Sequence, residues 1–178
     1  MKINAQKFNF INDFYLFEET GFNSKDVVSK LEKYSFQEHM YNLTTFYTDK
    51  QVLKKEEFKD LKEHLDFYIH SFIRSILNKD RFEYCNSWFQ AYKENDIHSL
   101  HIHGLMDFEY SLVFYLQTSE KSSEIKFYNP GYPYCYYKDY VFTPKENDLF
   151  IFSSFVPHEV LPNKDNKRIS LAANIKVL

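Results

Sequence analysis

Apolar positions along the chain follow two different periods, and the change lies near residue 80. From about residue 51 to 77 they recur at steps of three and four, the spacing of one face of an α-helix. The residues on this face are Phe58, Leu61, Leu65, Tyr68, Phe72 and Ile76. Charged residues fill the other side, so the pattern predicts a long amphipathic helix lying across a sheet. A shorter helix is predicted from a cap at Asn23 or Ser24 to Tyr34, and Phe8–Phe17 is predicted as an edge strand.

After residue 80 apolar and polar residues alternate, which is typical of strands. Phe82, Tyr84, Trp88, Gln90 and Tyr92 are predicted to share one face of an extended segment. Further strands are predicted at Ser99–His103, Tyr110–Gln117, Glu124–Tyr128, Tyr136–Phe142, Leu149–Ser153 and Arg168–Val177. Short strands separated by turn residues, without helices between them, indicate a sandwich or barrel. We therefore predict a mostly β fold with supporting helices, a jelly-roll.

The length of 178 residues fits one domain. We expect this domain to span 1–178, with helical support and an edge strand in 1–80 and the β-jelly-roll core in 81–178. The net charge of −3 comes without a run of five basic residues, so no nucleic-acid partner is expected. No apolar stretch is long enough for a membrane span or a signal peptide, and the two cysteines form no C-x-x-C pair. We expect a cytoplasmic protein without a membrane partner.

Two histidines, His101 and His103, lie two residues apart on a predicted strand. Side chains at this spacing point to the same face, near enough to share a metal ion. A chance pair on a polar face would look the same in a chain with seven histidines. His158 follows the predicted strand Leu149–Ser153 and adds a third candidate ligand, unless it is a loop histidine held by backbone hydrogen bonds. Three imidazoles would form a facial array with open positions, the arrangement that oxygen-activating iron requires.

The last predicted strand begins at Arg168, and Ser170 and Asn174 share its face by alternation. A guanidinium beside a hydroxyl is suited to bind a carboxylate, because arginine offers two parallel donors. The alternative for a lone arginine is a surface ion pair with an acidic residue. This strand therefore carries a candidate carboxylate site.

The chain from Trp88 to Ile175 resembles the 2-oxoglutarate/Fe(II)-dependent oxygenases, which have a cupin-like double-stranded β-helix fold. Residues 92–101 are similar to the segment of prolyl-hydroxylase-type members in which a pocket tyrosine precedes the first iron-binding histidine. Residues 148–174 are similar to the second half of the family, with a hydrophobic strand, Pro-His, a short loop and Arg-x-Ser. The resemblance implies Fe(II) as cofactor and 2-oxoglutarate as co-substrate.

By the same resemblance, specific residues acquire expected roles. His101 and His158 would be iron ligands, and Arg168 with Ser170 would bind the distal carboxylate of 2-oxoglutarate. The pocket would be lined by Tyr92 and Tyr115.

The chain departs from the family at its second ligand position. The family usually reads His-x-Asp or His-x-Glu, whereas His103 stands here. A small branch carries His-x-His followed by proline, but Gly104 follows in this chain. If His103 binds the metal, the three ligands are neutral imidazoles. The site then keeps one more positive charge than a site with two histidines and a carboxylate. Asp107 or Glu109 is the alternative third ligand, although strand rise would carry either farther along.

The sequence thus predicts a 2-oxoglutarate- and Fe(II)-dependent dioxygenase, a hydroxylase that releases succinate and CO2. Its substrate would be a small molecule or a peptide. Two alternatives stay open at this point. One is a three-histidine cupin-like metal enzyme that does not use 2-oxoglutarate, and the other is a binding module that has lost catalysis.

Two further features are left outside the predicted site. The tyrosine-rich segment Asn129–Tyr140 is either a lid over the pocket or an ordinary connecting loop. His39, His64, His70 and His98 are predicted to play no part in metal binding. For His98 the reason is that it would face away from His101 on a regular strand.

Overall fold

The computed structural model describes residues 5–8, 14–39, 41–104, 109–129 and 138–178. Its helices are α1 (Lys25–Leu31) and α2 (Lys59–Leu77). The strands are β1 (Ala5–Phe8), β2 (Phe14–Phe17), β3 (Gln37–His39), β4 (Asn42–Thr44), β5 (Phe82–Tyr92), β6 (His98–His101), β7 (Tyr110–Gln117), β8 (Ile125–Phe127), β9 (Tyr140–Phe142), β10 (Leu149–Ser153), β11 (His158–Val160) and β12 (Arg168–Val177).

The strands form two sheets that pack face to face. The larger sheet has the order β1-β2-β10-β7-β12-β5-β4-β3, and the smaller has the order β6-β11-β8-β9. Neighbouring strands are antiparallel in both. Phe127 of the smaller sheet packs against Phe150 and Phe152 of the larger one, with ring centroids 5.6 and 5.1 Å apart. The result is the predicted mostly β jelly-roll, with a core between its sheets.

The helices cover the outer face of the larger sheet. Leu61, Leu65, Tyr68, Ile69, Phe72 and Ile73 of α2 are buried there. The predicted long helix is confirmed, but it begins later, because Lys55 is extended and leaves two 3-10 turns before Lys59. Ile76 was wrongly placed on the buried face and is 46% exposed. The helix ends at Leu77 and is capped by Asn78, which adopts the left-handed conformation that asparagine tolerates.

A β-bulge divides β5 into two parts that face opposite ways. Asn174 and Ile175 of β12 lie opposite Asn86 and Tyr84, so β5 carries one extra residue at Cys85. An extra residue reverses the alternation of side chains beyond it. Phe82 and Tyr84 accordingly pack in the helix-side core, whereas Trp88, Gln90 and Tyr92 line a pocket between the sheets. The prediction that all five share one face was wrong.

The N-terminal strand prediction was also incomplete. β1 and β2 pair as two antiparallel strands, so Phe8–Phe17 is not one edge strand, and residues 9–13 lie outside the described residues. Strands β3, β4 and β11 were not predicted, since three-residue strands carry too little periodicity. The predicted helix near Ser24 is present as α1, but it ends at Leu31 and not at Tyr34. Ser24 donates its hydroxyl to Asn147 Oδ1 instead of capping the helix.

Within the described residues, neither helix is both long and apolar enough to cross a membrane. The division of one domain at residue 80 stays a prediction.

Candidate metal centre

Three histidines meet between the two sheets. One ring nitrogen each from His101, His103 and His158 lies within 4.8 Å of the others. The ring centroid of His101 is 5.1 Å from that of His103 and 4.2 Å from that of His158. The separation of 57 positions between His101 and His158 along the chain is closed by strand pairing, because the two residues lie opposite each other in β6 and β11. His103 follows β6, and its backbone N–H donates to Ser154 O at 2.8 Å.

The same ring nitrogen of each histidine, Nδ1, contacts a nearby oxygen. The contacts are His101 Nδ1 to Ser99 O at 2.7 Å, His103 Nδ1 to Asn174 Oδ1 at 2.8 Å and His158 Nδ1 to Val156 O at 2.9 Å. An Nδ1–H that donates to oxygen fixes the tautomer, so Nε2 carries the lone pair that a metal needs. The three imidazoles are therefore prepared as neutral ligands.

The surroundings keep these rings uncharged. Burial lowers the pKa of His103 to about 4, and it also lowers the pKa of His101 and His158. Repulsion from neighbouring imidazoles adds to the effect of burial on the pKa of His103 and His158. A metal ligand must be deprotonated, so this environment favours the binding form.

Arg168 lies in the same pocket as the three histidines and is 1% exposed. Its Nη1 donates to Ser123 O at 2.9 Å and Ser123 Oγ at 2.6 Å, and its Nη2 donates to Tyr115 OH at 3.2 Å. Its Nε has no hydrogen-bond partner in the described part of the chain. None of the ion pairs found among the described residues includes Arg168. A buried cation of this kind is suited to bind an anion.

The sequence of this site matches a known family. Residues 86–174, half of the chain, match the family described as "Putative 2OG-Fe(II) oxygenase". The chain belongs to this family. The resemblance inferred from the sequence is thereby confirmed, and Fe(II) and 2-oxoglutarate are the cofactor and co-substrate for which the family is named. Among curated proteins, no relative of this oxygenase was found by sequence.

Solved structures of 2OG-Fe(II) oxygenases share the fold of this oxygenase. A family member from Burkholderia pseudomallei superimposes with a TM-score of 0.71 at 13% identity, over 92% of this chain and 84% of that one. A Pseudomonas putida prolyl-4-hydroxylase gives 0.70 at 14%, over 92% and 91%. HygX from Streptomyces hygroscopicus, solved with nickel, 2-oxoglutarate and hygromycin B, gives 0.70 at 10%, over 92% and 82%. At these identities the comparison supports the predicted double-stranded β-helix fold.

Two of the remaining predicted site residues line the pocket, and two lie outside its lining. Ser170 and Tyr92 line it beside Arg168, and the Tyr92 ring lies 4.7 Å from the guanidinium carbon. Tyr115 is fully buried behind the guanidinium, 5.2 Å from it. Asn174 lies at the far side, where it contacts His103 and donates Nδ2 to Asn86 Oδ1 at 2.7 Å. From this position Asn174 orients the imidazole of His103, so it is better placed to position a metal ligand than to bind 2-oxoglutarate.

His98, which sequence reasoning left out, also lines the pocket. Its ring stacks on His101 with centroids 4.1 Å apart. His101 and His98 lie opposite His158 and Val160, so three steps along β6 match two along β11. This bulge turns His98 to the face of His101. The expectation that it faces away was wrong. The available signal in the sequence was the presence of three histidines, at positions 98, 101 and 103, within six residues.

Of the two alternative carboxylate ligands, only Glu109 is among the described residues, and its carboxylate is engaged elsewhere. Glu109 Oε2 accepts a hydrogen bond from Val177 N at 3.1 Å, away from the histidines. Asp107 lies outside the described residues, as do residues 130–137 of the predicted lid segment.

Proposed function

We propose that this protein is a 2-oxoglutarate- and Fe(II)-dependent dioxygenase of the hydroxylase type. His101, His103 and His158 would hold Fe(II), and Arg168 with Ser170 would hold the distal carboxylate of 2-oxoglutarate. The observation that carries the proposal is that one pocket contains both the three neutral imidazoles and the buried guanidinium. Membership of the oxygenase family supports the reaction class.

The residues present fit both groups. Three imidazoles with Nδ1 engaged by oxygen leave Nε2 as a ligand atom, and imidazole suits Fe(II). Neutral ligands do not offset the charge of the ion, so the site favours an anionic co-substrate such as 2-oxoglutarate. When bound, Fe(II) supplies the activation of O2 that is coupled to decarboxylation of 2-oxoglutarate to succinate and CO2.

The chain itself supplies orientation and a dry environment. Arg168 provides directional donors to a carboxylate, and its own position is held by Ser123 and Tyr115. The faces of Tyr92 and Tyr115 lie against the guanidinium, which stabilises a cation out of water. Burial raises the pKa of both phenols, so their hydroxyls stay protonated.

Calorimetry of 2-oxoglutarate binding to the Zn(II)-loaded protein tests the proposal. Arg168→Ala is expected to weaken binding about 10- to 100-fold, because charge-assisted hydrogen bonds are lost. Arg168→Lys keeps the charge without the planar fork and is expected to fall between Ala and wild type. Arg81→Ala, at an exposed arginine, is the matched control and should bind as wild type.

Turnover is tested separately by succinate release with Fe(II), O2 and 2-oxoglutarate. Stoichiometric metal without any binding of 2-oxoglutarate would overturn the proposal and favour the three-histidine metal enzyme that does not use it. Unchanged affinity in both Arg168 variants, with circular dichroism showing that they fold, would refute the role of Arg168.

A further inference from the structure

A second cleft of about 330 Å³ opens beside His101 and His103. One wall comes from the β3–β4 hairpin and from Phe46 and Tyr47, which follow β4. Another comes from Asn86, Trp88 and Gln90 of β5. Because it shares His98, His101 and His103 with the inner pocket, its occupant lies beside the proposed iron. The volume is at the low end of small-molecule pockets, which span about 300–1,000 Å³. It suits one ring-bearing group.

The described lining of this cleft carries no Asp, Glu, Lys or Arg side chain. Its polar groups are side-chain amides, the hydroxyls of Thr44 and Tyr47, the indole N–H of Trp88 and imidazoles. An ionised group brought into such a cleft loses water without gaining a charged side chain as its partner, which is unfavourable. The lining therefore selects an uncharged occupant.

Aromatic rings form one wall of the cleft. Phe46 lies edge-on to both Trp88 and Tyr47, with centroids 5.0 and 5.3 Å apart. The Tyr47 hydroxyl is hydrogen-bonded to His39 Nε2 at 2.9 Å, and the rings of this pair are 4.5 Å apart. Tyr47 nevertheless keeps 55% of its surface exposed. A ring that is held in place and still exposed is a platform for stacking.

A chain of hydrogen bonds determines which nitrogen of His98 carries its hydrogen. Tyr92 OH donates to Gln90 Oε1 at 3.2 Å, so the other amide atom of Gln90 is the donor Nε2. Gln90 Nε2 contacts His98 Nδ1 at 3.2 Å, which makes Nδ1 an acceptor and places the hydrogen on Nε2. His98 is thus a hydrogen-bond donor where the cleft meets the inner pocket.

We infer that the substrate of this oxygenase presents an uncharged aromatic or heteroaromatic ring with an oxygen acceptor beside it. The ring would lie on the wall formed by Phe46, Tyr47 and Trp88, and the oxygen would accept a hydrogen bond from His98. This substrate class rests on the proposed function, since it places the reacting group next to the iron site.

Trp88 is the only tryptophan of the chain, so its fluorescence reports on the cleft directly. We would titrate the protein, saturated with Zn(II) and 2-oxoglutarate, with benzamide, benzoate and benzylamine. These three probes are similar in shape and differ in charge. Benzamide is expected to bind at least about fivefold more tightly than either ion, because the ions lose hydration without compensation. Equal or tighter binding of a charged probe, or no saturable response to benzamide, would overturn the inference.

Variants locate the binding site. Tyr47→Ala is expected to weaken benzamide binding at least about threefold through lost stacking, and His98→Phe is expected to do so by removing the donor. Tyr41→Ala, at an equally exposed tyrosine outside the cleft, should have no effect. If Tyr47→Ala and Tyr41→Ala behaved alike, the aromatic wall would not be the site.

The two proposals fail separately. The titration is repeated without 2-oxoglutarate and metal. If calorimetry shows that the wild-type protein does not bind 2-oxoglutarate, but the protein still selects benzamide over the two ions, only the proposed function is overturned. Normal 2-oxoglutarate binding without selectivity among the probes would overturn the substrate class alone.

Discussion

His103 takes the position at which related oxygenases usually carry a carboxylate, and its Nδ1 contacts are with two uncharged side chains. These are Asn174 Oδ1 and Ser111 Oγ, both at 2.8 Å. Asn174 is in turn tied to Asn86, so an amide pair on β5 and β12 sets the orientation of this ring. Groups that orient a ligand tune metal affinity strongly although they do not touch the ion.

Replacing Asn174 with leucine tests this arrangement at the residue scale. Asn174→Leu keeps the approximate volume and removes the amide oxygen that contacts His103 Nδ1, leaving Ser111 Oγ as the other oxygen in contact. Metal affinity, measured by competition with a chromophoric chelator, is expected to fall about 10- to 100-fold. Asn166→Leu, at an exposed asparagine, is the control. Wild-type affinity in Asn174→Leu would show that His103 does not depend on this amide.

The candidate ligands were predictable at this scale, while the neighbours that hold them were not. His101, His103 and His158 carry a spacing and residue type that indicate a metal site. Asn174 was read as a cofactor-binding residue because strand alternation gives the face of a side chain but not its distance from a ligand. His98 was missed because the bulge in β6 is specified by pairing with β11.

At the scale of elements, α2 buries one face against the larger sheet and thereby supports the strands that carry the site. Phe72 is 1% exposed and packs against Tyr15 and Tyr110, with centroids 4.9 and 5.2 Å away. Phe67 on the same helix is 46% exposed. The periodic pattern predicted this helix because burial of one face leaves a signal over many residues.

The two phenylalanines of α2 make a matched pair for a stability test. Phe72→Ala is expected to lower the free energy of unfolding by about 3–5 kcal/mol, through lost burial and the cavity left behind. Phe67→Ala should change it by no more than about 0.5 kcal/mol. Urea denaturation followed by circular dichroism measures both. Similar losses in the two variants would contradict the observed packing of the helix.

Short and irregular elements lie beyond such patterns. Strands β3, β4 and β11 have three residues each, too few for a period to emerge. The bulge at Cys85 reverses the faces of β5 without any local mark in the sequence. In both cases the partner strand decides the geometry, since its hydrogen bonds set the register.

At the scale of the whole molecule, the site joins the two sheets. His101 and His158 belong to the smaller sheet, whereas His103 is held by Asn174 of β12 in the larger sheet. An ion bound to all three would therefore add a link between the two sheets to the apolar packing between them. Binding to the folded state alone stabilises it by mass action.

Metal should accordingly raise the melting temperature. At a free Zn(II) concentration 100-fold above Kd the gain is about 2.7 kcal/mol, which corresponds to about 5–10 °C for a chain of this size. Calorimetric scans with Zn(II) and with a chelator measure the shift. His158→Ala should abolish it, and His70→Gln, on α2, should retain it. An equal shift in both variants would place the bound metal elsewhere.

The sequence by itself determined the family, the mostly β fold with a supporting helix, and the residue types of the site. The fold could be predicted because burial leaves a periodic pattern in the sequence. The family and the site residues could be predicted because the histidines and Arg168 follow one another in a recognisable order along the chain. Only the tertiary structure decided which face Phe82 and Tyr84 occupy, that His98 joins the pocket, and that Arg168 is buried without a described acidic partner. Each of these depends on the register between strands distant in sequence, and register is a property of the paired sheet.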